Sequence, residues 1–260
     1  MIHKTAVIEP EAELGVNVTV GPFSYIDKDV RIGDGCVIGP HVSILKHTSI
    51  GSGCEIHSGA VLGDLPQDTE FEKEESFVSI GSNCIIRECV TVHRGTKTGT
   101  TTEIGDECFL MAFSHCAHNV KLARGVILAN GALLAGYVEA GERVFISGNV
   151  LVHQFVKIGR LAMLGGACGI SKDVPPFCTI RPLAANVILG LNVVGMRRAA
   201  LTPDERKQVK QAFNILYKSG LNVMDATNKI KNTFSSGPAL EFCDFIEKSE
   251  RGICRFSSDQ

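Results

Sequence analysis

The amino-acid sequence predicts a mainly β fold, a parallel β-helix of hexapeptide repeats, followed by a small C-terminal α-helical domain. The first observation behind this prediction is an apolar residue that returns at every sixth position. A period of six fits neither a helix of 3.6 residues per turn nor simple strand alternation, but it is typical of a parallel β-helix. The positions in this register are Ile8, Leu14, Val20, Ile26, Ile32, Ile38, Ile44, Ile50, Ile56, Leu62, Ile80, Ile86, Val92, Ile104, Leu110, Cys116, Leu122, Leu128, Leu134, Ala140, Ile146, Val152, Ile158, Leu164 and Ile170.

Glycine is the second observation, because it often follows these apolar positions, as at Gly15, Gly33 and Gly159. Glycine permits the sharp backbone turns that the corners of a coil require. Three hexapeptides make one triangular coil of about 18 residues, with the apolar residue of each hexapeptide pointing inward. Each coil then buries its apolar face against its neighbours, as in other solenoids.

Two segments interrupt the repeat, and the register resumes after each at a multiple of six. Residues 64–78 are polar and acidic, and residues 94–103 are rich in Gly, Thr and Lys. We interpret both as loops that leave an intact prism. Loops on a rigid scaffold commonly carry function, so both loops are candidates for a site.

The register ends near Ile170, and two consecutive prolines follow Asp173. Because proline cannot donate to a strand ladder, this segment predicts the closure of the prism. We therefore assign residues 1–185 to the hexapeptide-repeat domain and residues 186–260 to the helical domain.

Helical spacing begins after Thr202, which is the third observation. Thr202 is a predicted N-cap, with proline at the first helical position and Glu205 at the third. Apolar residues then recur at helical spacing, and Ser219-Gly220 predicts the end of this helix. Further helices are predicted over 222–233 and 238–249.

The composition excludes several classes of protein. A net charge of −2 offers no basic field for nucleic acid. The chain has no run of about 18 apolar residues that could span a membrane, and no export signal is visible at its start. The ten cysteines form no CxxC pair. We expect them to be reduced and the protein to be cytoplasmic.

A possible catalytic row follows from the coil length. His118, Gly136 and Gln154 are spaced 18 apart, so they are expected to stack in one row on successive coils. An imidazole can remove a proton from an attacking hydroxyl, and a bare Gly N–H can donate to a developing oxyanion. His115 comes shortly before His118 in the chain and is expected near the same corner. This arrangement suits acyl transfer.

Other interpretations of the same residues stay open at this point. Gly136 is also compatible with a plain corner residue, and Gln154 with a bridge between coils. Cys116 falls on the inward six-residue position, so we expect a buried and inert thiol rather than a nucleophile. For a metal site the spacing gives no convincing triad, and we expect none. The histidines weighed for that site are His57, His93, His115, His118 and His153.

Several motifs, in this order, resemble one known family over nearly the whole chain. The family is the UDP-N-acetylglucosamine O-acyltransferases of lipid A synthesis. The residues that carry the resemblance are Gln67-Asp68, Arg87-Glu88, His93-Arg94-Gly95-Thr96, His115-Cys116-Ala117-His118, Leu134-Ala135-Gly136, His153-Gln154-Phe155, Asp173-Val174-Pro175-Pro176, Gly190-Leu191-Asn192 and Arg197-Arg198.

The resemblance implies an activity, partners and a handedness. Members of the family move a 3-hydroxyacyl chain from acyl carrier protein to the 3-position of UDP-N-acetylglucosamine, the first step of lipid A synthesis. The phosphopantetheine of the carrier delivers the acyl group, so no separate cofactor is implied. The family is homotrimeric, with sites between subunits, and its β-helix is left-handed. The same features are therefore expected for this chain.

The resemblance also implies roles for individual residues. His118 matches the general base, and Gly136 matches the amide of the oxyanion hole. Gly165 and Gly166 match the end of the acyl-chain ruler. The positions that match substrate-binding residues are Gln67, Asp68, His115, His153, Gln154, Asn192 and Arg198.

Four residues depart from the family pattern: Glu70 replaces a common Lys, Tyr137 a His, Asn119 an acid and Ala199 an Arg. These departures leave the acceptor sugar and the acyl chain length open. One alternative is transfer to a UDP 3-amino sugar, which would give an amide. Another is a non-catalytic scaffold that binds the same ligands.

Overall fold

A computed structural model of the chain describes residues 1–256, which fold into a β-helix with α-helices near the C-terminal end. Most strands are very short, because each flat side of the coil ends at a corner. The strands, in chain order, are β1 (Val7–Ile8), β2 (Glu13–Leu14), β3 (Thr19–Val20), β4 (Tyr25–Ile26), β5 (Arg31–Ile32), β6 (Val37–Ile38), β7 (Ser43–Ile44), β8 (Thr48–Ile50), β9 (Glu55–Ile56), β10 (Val61–Asp64), β11 (Phe77–Ile80), β12 (Ile85–Ile86), β13 (Thr91–His93), β14 (Thr101–Ile104), β15 (Phe109–Leu110), β16 (His115–Cys116), β17 (Lys121–Leu122), β18 (Ile127–Leu128), β19 (Leu133–Leu134), β20 (Glu139–Ala140), β21 (Phe145–Ile146), β22 (Leu151–Val152), β23 (Lys157–Ile158), β24 (Met163–Leu164), β25 (Gly169–Ile170), β26 (Cys178–Ile180), β27 (Val187–Leu191) and β28 (Arg255–Phe256).

Three sheets form the sides of the prism, and within the repeat each strand pairs with the strand three positions later. Sheet 1 runs β1-β4-β7-β10-β13-β16-β19-β22-β25, and sheet 2 runs β2-β5-β8-β11-β14-β17-β20-β23. Sheet 3 runs from β3 through β24 to β26, β27 and β28. In uninterrupted coils the parallel partners lie one full coil apart, as for Leu110 and Leu128. This topology confirms the predicted parallel β-helix.

The core is a stack of the apolar residues that the repeat places inside. Every position of the register from Val20 to Ile170 is buried, and only Ile8 and Leu14 in the first coil are partly exposed. Burial of one such side chain stabilises the fold by about 1.5–3 kcal/mol. Because the stack continues from coil to coil, the prism is a rigid support for its corners.

The corners of the coils share one backbone conformation. From Asn17 onward the second residue of each corner turn adopts a positive φ, as at Asn119 (59°), Tyr137 (60°) and Phe155 (65°). Its N–H donates to the turn of the preceding coil, so Tyr137 N bonds His118 O at 3.0 Å and Phe155 N bonds Gly136 O at 3.0 Å. Successive corners are therefore fixed to one another.

Both predicted loops are present, but residues 77–78 and 101–103, which were assigned to them, belong to β11 and β14. Ile50 pairs with Ile80, so the first loop adds the length of two hexapeptides to a plain coil. Ile80 pairs with Ile104, so the second loop adds the length of one hexapeptide. The loops contact each other, since Gly99 N donates to Glu75 O at 2.9 Å. The first loop thus rests on the second beside sheet 1.

The predicted closure of the prism at the prolines was wrong. After Pro175-Pro176 the chain returns to sheet 3, where β26 pairs in parallel with β24. Ile158 bridges Val174 and Met163 pairs with Thr179, both slightly less than a full coil further on, so the last coil is already shortened before the prolines and does not end at them. Next, β27 reverses direction and pairs antiparallel with β26, and β28 extends the same sheet.

The helical segments are α1 (Val193–Arg198), α2 (Pro203–Lys218), α3 (Val223–Thr233), a 3₁₀ helix (Pro238–Leu240) and α4 (Glu241–Glu247). The predicted capping box is confirmed, because Thr202 and Glu205 exchange hydrogen bonds at the start of α2. The predicted helix over 222–233 corresponds to α3, which Asn222 caps. The predicted segment 238–249 divides into the 3₁₀ helix and α4. None of the helices within residues 1–256 has the length and apolar character needed to cross a membrane.

Candidate active site

A pocket of about 730 Å³ lies along the outer face of sheet 1. Strands β16, β19, β22 and β25 form its floor, and the first loop contributes to its edge. Its apolar wall includes Leu133, Leu151, Val152 and Ile170. The predicted site residues that line it are Gln67, His115, His118, Gly136, His153 and Gln154.

His118, Gly136 and Gln154 occupy the same turn position on three successive coils. Their strands pair in register, with His115 beside Leu133 and Leu133 beside Leu151. The stacked row is therefore present in the structure. It follows directly from the repeat, since each of the three residues lies two positions after its strand ends.

The N–H of Gly136 donates no hydrogen bond to another group within residues 1–256. The fold does not require an N–H at this turn position, because proline occupies the equivalent position at Pro10, Pro22 and Pro40. At Val16 and Ser82 the N–H of this position donates to an Asp side chain of the next coil. The Gly136 donor is thus available to a ligand in the pocket.

The imidazole of His118 lies directly over Gly136. A Cβ atom on Gly136 would lie 2.2 Å from Cε1 and 2.5 Å from Nε2 of His118. Only glycine leaves this space free, so the position of the His118 ring, and not the corner, requires Gly136. The contact brings a potential base and a free N–H donor together.

Two polar groups flank the His118 ring on opposite sides. Its Nδ1 lies 3.1 Å from Oδ1 of Asn119, and its Nε2 lies 4.0 Å from Oδ2 of Asp68. The ring of Tyr137 packs edge-on against it, with centroids 5.3 Å apart. The His118 side chain is 13% exposed, so one edge of the ring faces the pocket.

His115 is neutral at physiological pH. Burial, together with the neighbouring His93 and His118, lowers the pKa of His115 to about 4. Its Nδ1 is 2.7 Å from Oγ1 of Thr91, and its ring meets that of His93 with centroids 4.9 Å apart. Burial also lowers the pKa of His93. His115 therefore serves as a hydrogen-bonding group rather than as a cation in this pocket.

Sequence reasoning did not assign Thr91 to the site, and it did not anticipate a contact between Thr96 and Asn119. Thr91 bonds His115 and Thr96 bonds Asn119, and in both pairs the partners are more than one plain coil apart in the chain. The insertion of the second loop displaces both pairs from the simple coil spacing. A register corrected for that insertion would have found Thr91.

Cys116 lies in the core beneath the site. It is fully buried, and burial raises the pKa of its thiol to about 12. A thiolate is therefore not available at this position. Among residues 1–256, no group of three or more His, Cys, Asp or Glu side chains is arranged to bind a metal ion.

Four predicted site residues lie away from the pocket in the single chain. Asn192 caps α1, where its Oδ1 accepts from Gly195 N and its Nδ2 donates to Leu161 O, both at 2.8 Å. Arg198 is exposed at the end of the same helix. Gly165 is enclosed near Ile180 and Pro182. Gly166, which follows Gly165 in the chain, also does not line the pocket.

Comparisons with known proteins give a consistent result. Residues 173–254 match a family described as UDP N-acetylglucosamine O-acyltransferase, domain 2, and residues 29–64 match the bacterial transferase hexapeptide repeat. The chain is 44% identical to an acyl-[acyl-carrier-protein]–UDP-N-acetylglucosamine O-acyltransferase of Alkalilimnicola ehrlichii, over 98% of this chain and 99% of that protein. It is 37% identical to the protein of that name from Campylobacter concisus, over 97% and 96%.

Solved structures agree with the sequence relatives. A UDP-N-acetylglucosamine acyltransferase from Bacteroides fragilis matches with a TM-score of 0.93 and 41% identity, over 98% of this chain and all of that one. The corresponding enzyme of Francisella novicida matches with a TM-score of 0.94 and 35% identity, over 100% and 95%. These neighbours share the left-handed parallel β-helix, which confirms the expected handedness.

Proposed function

Because this chain belongs to the UDP-N-acetylglucosamine O-acyltransferase family, we propose that it transfers a 3-hydroxyacyl group from acyl carrier protein to the 3-hydroxyl of UDP-N-acetylglucosamine. This reaction is the first step of lipid A synthesis. The single observation that supports the site assignment is the contact between the His118 ring and Gly136, whose N–H is free. This contact supports a mechanism in which a base and an oxyanion donor act side by side in one pocket.

His118 acts as the general base. With its Nδ1–H donating to Asn119, the Nε2 lone pair is free to take the proton of the sugar hydroxyl. The sugar oxygen then bonds to the thioester carbonyl carbon, and the carbon–sulfur bond breaks when the intermediate collapses. The protonated His118 returns its proton to the leaving thiolate. Asp68, 4.0 Å from Nε2, stabilises the imidazolium between these two steps.

The N–H of Gly136 stabilises the tetrahedral oxyanion. One such donor contributes about 10²–10³-fold to an acyl-transfer rate. The neutral thiol of Cys116 takes no part, so the mechanism needs neither a covalent intermediate on the enzyme nor a further cofactor.

The pocket has separate places for the two substrates. Its apolar wall suits an acyl chain. We propose that Gly165 and Gly166, which lie outside the pocket of the single chain, mark where the acyl chain ends beyond this wall. Its polar edge of Gln67, His153 and Gln154 suits the amino sugar, with Asp68 and His115 beside it.

Asn192 and Arg198 do not reach the pocket of their own chain. We propose that they complete the site of a neighbouring subunit in a homotrimer, where Arg198 binds the nucleotide phosphates. Size-exclusion chromatography with light scattering is expected to give about three times the chain mass of 27.9 kDa. Cell fractionation tests the predicted cytoplasmic location.

The deciding experiment is transfer with defined substrates. Purified protein is incubated with 3-hydroxyacyl carrier proteins of several chain lengths, and with UDP-N-acetylglucosamine or its 3-amino analogue. His118→Ala is expected to lower kcat by about 10²–10⁴-fold, as for loss of a general base. His3→Ala, an exposed histidine hydrogen-bonded to Thr5, is the matched control and is expected to match wild type.

Each outcome has a distinct meaning. An active His118→Ala protein would refute the assignment of the base. Amide formation on the 3-amino analogue, without transfer to the 3-hydroxyl sugar, would identify a UDP 3-amino sugar as the acceptor. This is the alternative left open by the departures from the family pattern at Asn119 and Tyr137. Binding of both substrates without transfer to either acceptor would favour the scaffold.

A further inference from the structure

We propose that Thr96, in the second loop, is a positioning residue that sets the tautomer of His118 through the amide of Asn119. The inference rests on the proposed role of His118 as the general base. The residues Thr96, Asn119 and His118 interact through neutral groups, whereas the family carries an acid at the position of Asn119.

The amide oxygen of Asn119 is surrounded by hydrogen-bond donors. Oδ1 lies 3.1 Å from the backbone N of Thr96, 3.0 Å from Oγ1 of Thr96 and 3.1 Å from Nδ1 of His118. Thr96 and Asn119 are both buried, with 8% and 6% exposure. Water therefore competes little with these contacts, and each is stronger than on an open surface.

These contacts determine which way the Asn119 amide faces. The backbone N–H of Thr96 can only donate, so the Asn119 atom beside it must be the oxygen and not the NH₂ group. That same oxygen faces Nδ1 of His118. In the neutral imidazole Nδ1 must then carry the proton, which leaves Nε2 as the unprotonated atom. Nε2 is the atom that faces Asp68 and Gly136.

Tyr137 extends this chain of donors. Its OH lies 2.8 Å from Oγ1 of Thr96, whose own hydrogen is directed at Asn119. The phenol therefore donates to Thr96, Thr96 donates to Asn119, and His118 donates to Asn119 from the other side. Tyr137 is itself held by stacking on Phe155, with centroids 4.9 Å apart and planes at 16°.

In this arrangement one group orients the His118 ring, and a different group carries the negative charge beside it. The titratable groups around His118 are Asp68, His93, His115 and Tyr137. Asp68 is the carboxylate among these four, and it lies on the Nε2 side of the ring. Orientation comes from the neutral Asn119 on the Nδ1 side, and Thr96 holds that amide in its productive orientation.

The test compares Thr96→Val with Thr96→Ser in the full chain, with 3-hydroxyacyl carrier protein and UDP-N-acetylglucosamine as substrates. Valine keeps the shape and the backbone N–H but removes the hydroxyl, whereas serine keeps the hydroxyl. We expect Thr96→Val to lower kcat by about 10- to 100-fold with KM changed by less than about threefold. Thr96→Ser is expected to recover kcat to within about threefold of wild type.

A spectroscopic readout separates positioning from general damage. In protein labelled with ¹⁵N-histidine, the ring signals of His118 are identified by their absence from His118→Ala. Wild type and Thr96→Ser are expected to show a protonated Nδ1 and an unprotonated Nε2. In Thr96→Val the backbone N–H alone holds the Asn119 oxygen, so the shifts are expected to move toward those of a partly populated Nε2–H tautomer.

Two results would overturn the inference. Wild-type kcat in Thr96→Val would remove the need for the hydroxyl, and equal losses in Thr96→Val and Thr96→Ser would assign the effect to loop packing. Either result, with an inactive His118→Ala, would leave the proposed base intact. An active His118→Ala would instead refute the proposed base and the inference together.

Discussion

Replacing Gly136 with alanine is expected to disable catalysis while the protein stays folded. The new Cβ would lie 2.2 Å from Cε1 of His118, whereas ordinary contacts begin near 3.4 Å, so the ring must move to relieve the overlap. A displacement of about 1 Å, which is the scale of this overlap, can cost roughly 100-fold in rate at a reacting group. We therefore expect kcat to fall by at least about 100-fold.

The backbone should accept the change. Gly136 does not have a positive φ, and Ala112 occupies the equivalent turn position elsewhere in the prism. The His118 ring can also swing toward the pocket, so overpacking should cost no more than about 1–3 kcal/mol. Thermal unfolding should therefore show a modest decrease in Tm.

The assay measures kcat for acyl transfer beside the Tm of each variant. Gly190→Ala is the matched control, because a Cβ at Gly190 meets no atom within 4 Å. Its kcat should match wild type. Wild-type kcat in Gly136→Ala would refute the proposed requirement for the His118 position. A collapse of the fold would show that Gly136 is required by the corner itself.

Three further changes test other parts of the structure. Cys116→Ala should keep kcat within about threefold and cost about 1 kcal/mol of stability; a folded but inactive variant would contradict the inert thiol. The unfolded His115 ring protonates near pH 6.5 and the folded ring near pH 4, so the free energy of unfolding should fall by up to about 3 kcal/mol as pH falls through that window. The lowered pKa of His93 also reduces the free energy of unfolding as pH falls, so the His115 contribution is isolated by comparing His115→Gln with wild type in urea unfolding across this pH range. If the variant shows the same dependence of unfolding free energy on pH as wild type, the assignment to His115 is contradicted. Arg160→Lys should lower the free energy of unfolding by about 1 kcal/mol, because lysine cannot keep both bonds to Glu241 and the stacking over Phe177; no change in urea unfolding would refute this.

The sequence predicted the prism and the stacked row of candidate site residues because both depend on a local pattern that repeats. An apolar residue every six positions sets the coil, and the coil length places His118, Gly136 and Gln154 in one row. The cap of α2 was also a local signal, carried by Thr202.

The missed features depend on contacts between distant parts of the chain. Val187 pairs with Arg255, so neither β27 nor β28 is visible from its own few residues. The helix α1 spans less than two turns and is too short for a periodic signal. Thr96 reaches Asn119 only because the second loop folds back onto the corner, and residue spacing cannot reveal that.

The reversal of the chain after β26 has a consequence for self-association. The last coil of a parallel solenoid presents unpaired N–H and C=O groups, which can template the addition of another chain. In sheet 3 the antiparallel β27 occupies that edge, and β28 follows it. The C-terminal segment closes the same end, with Asp173 bridged to Ile253 and Phe177 packed on Phe242. The segment that follows the repeat therefore also limits polymerisation, since it covers the edge of sheet 3 onto which further coils would add.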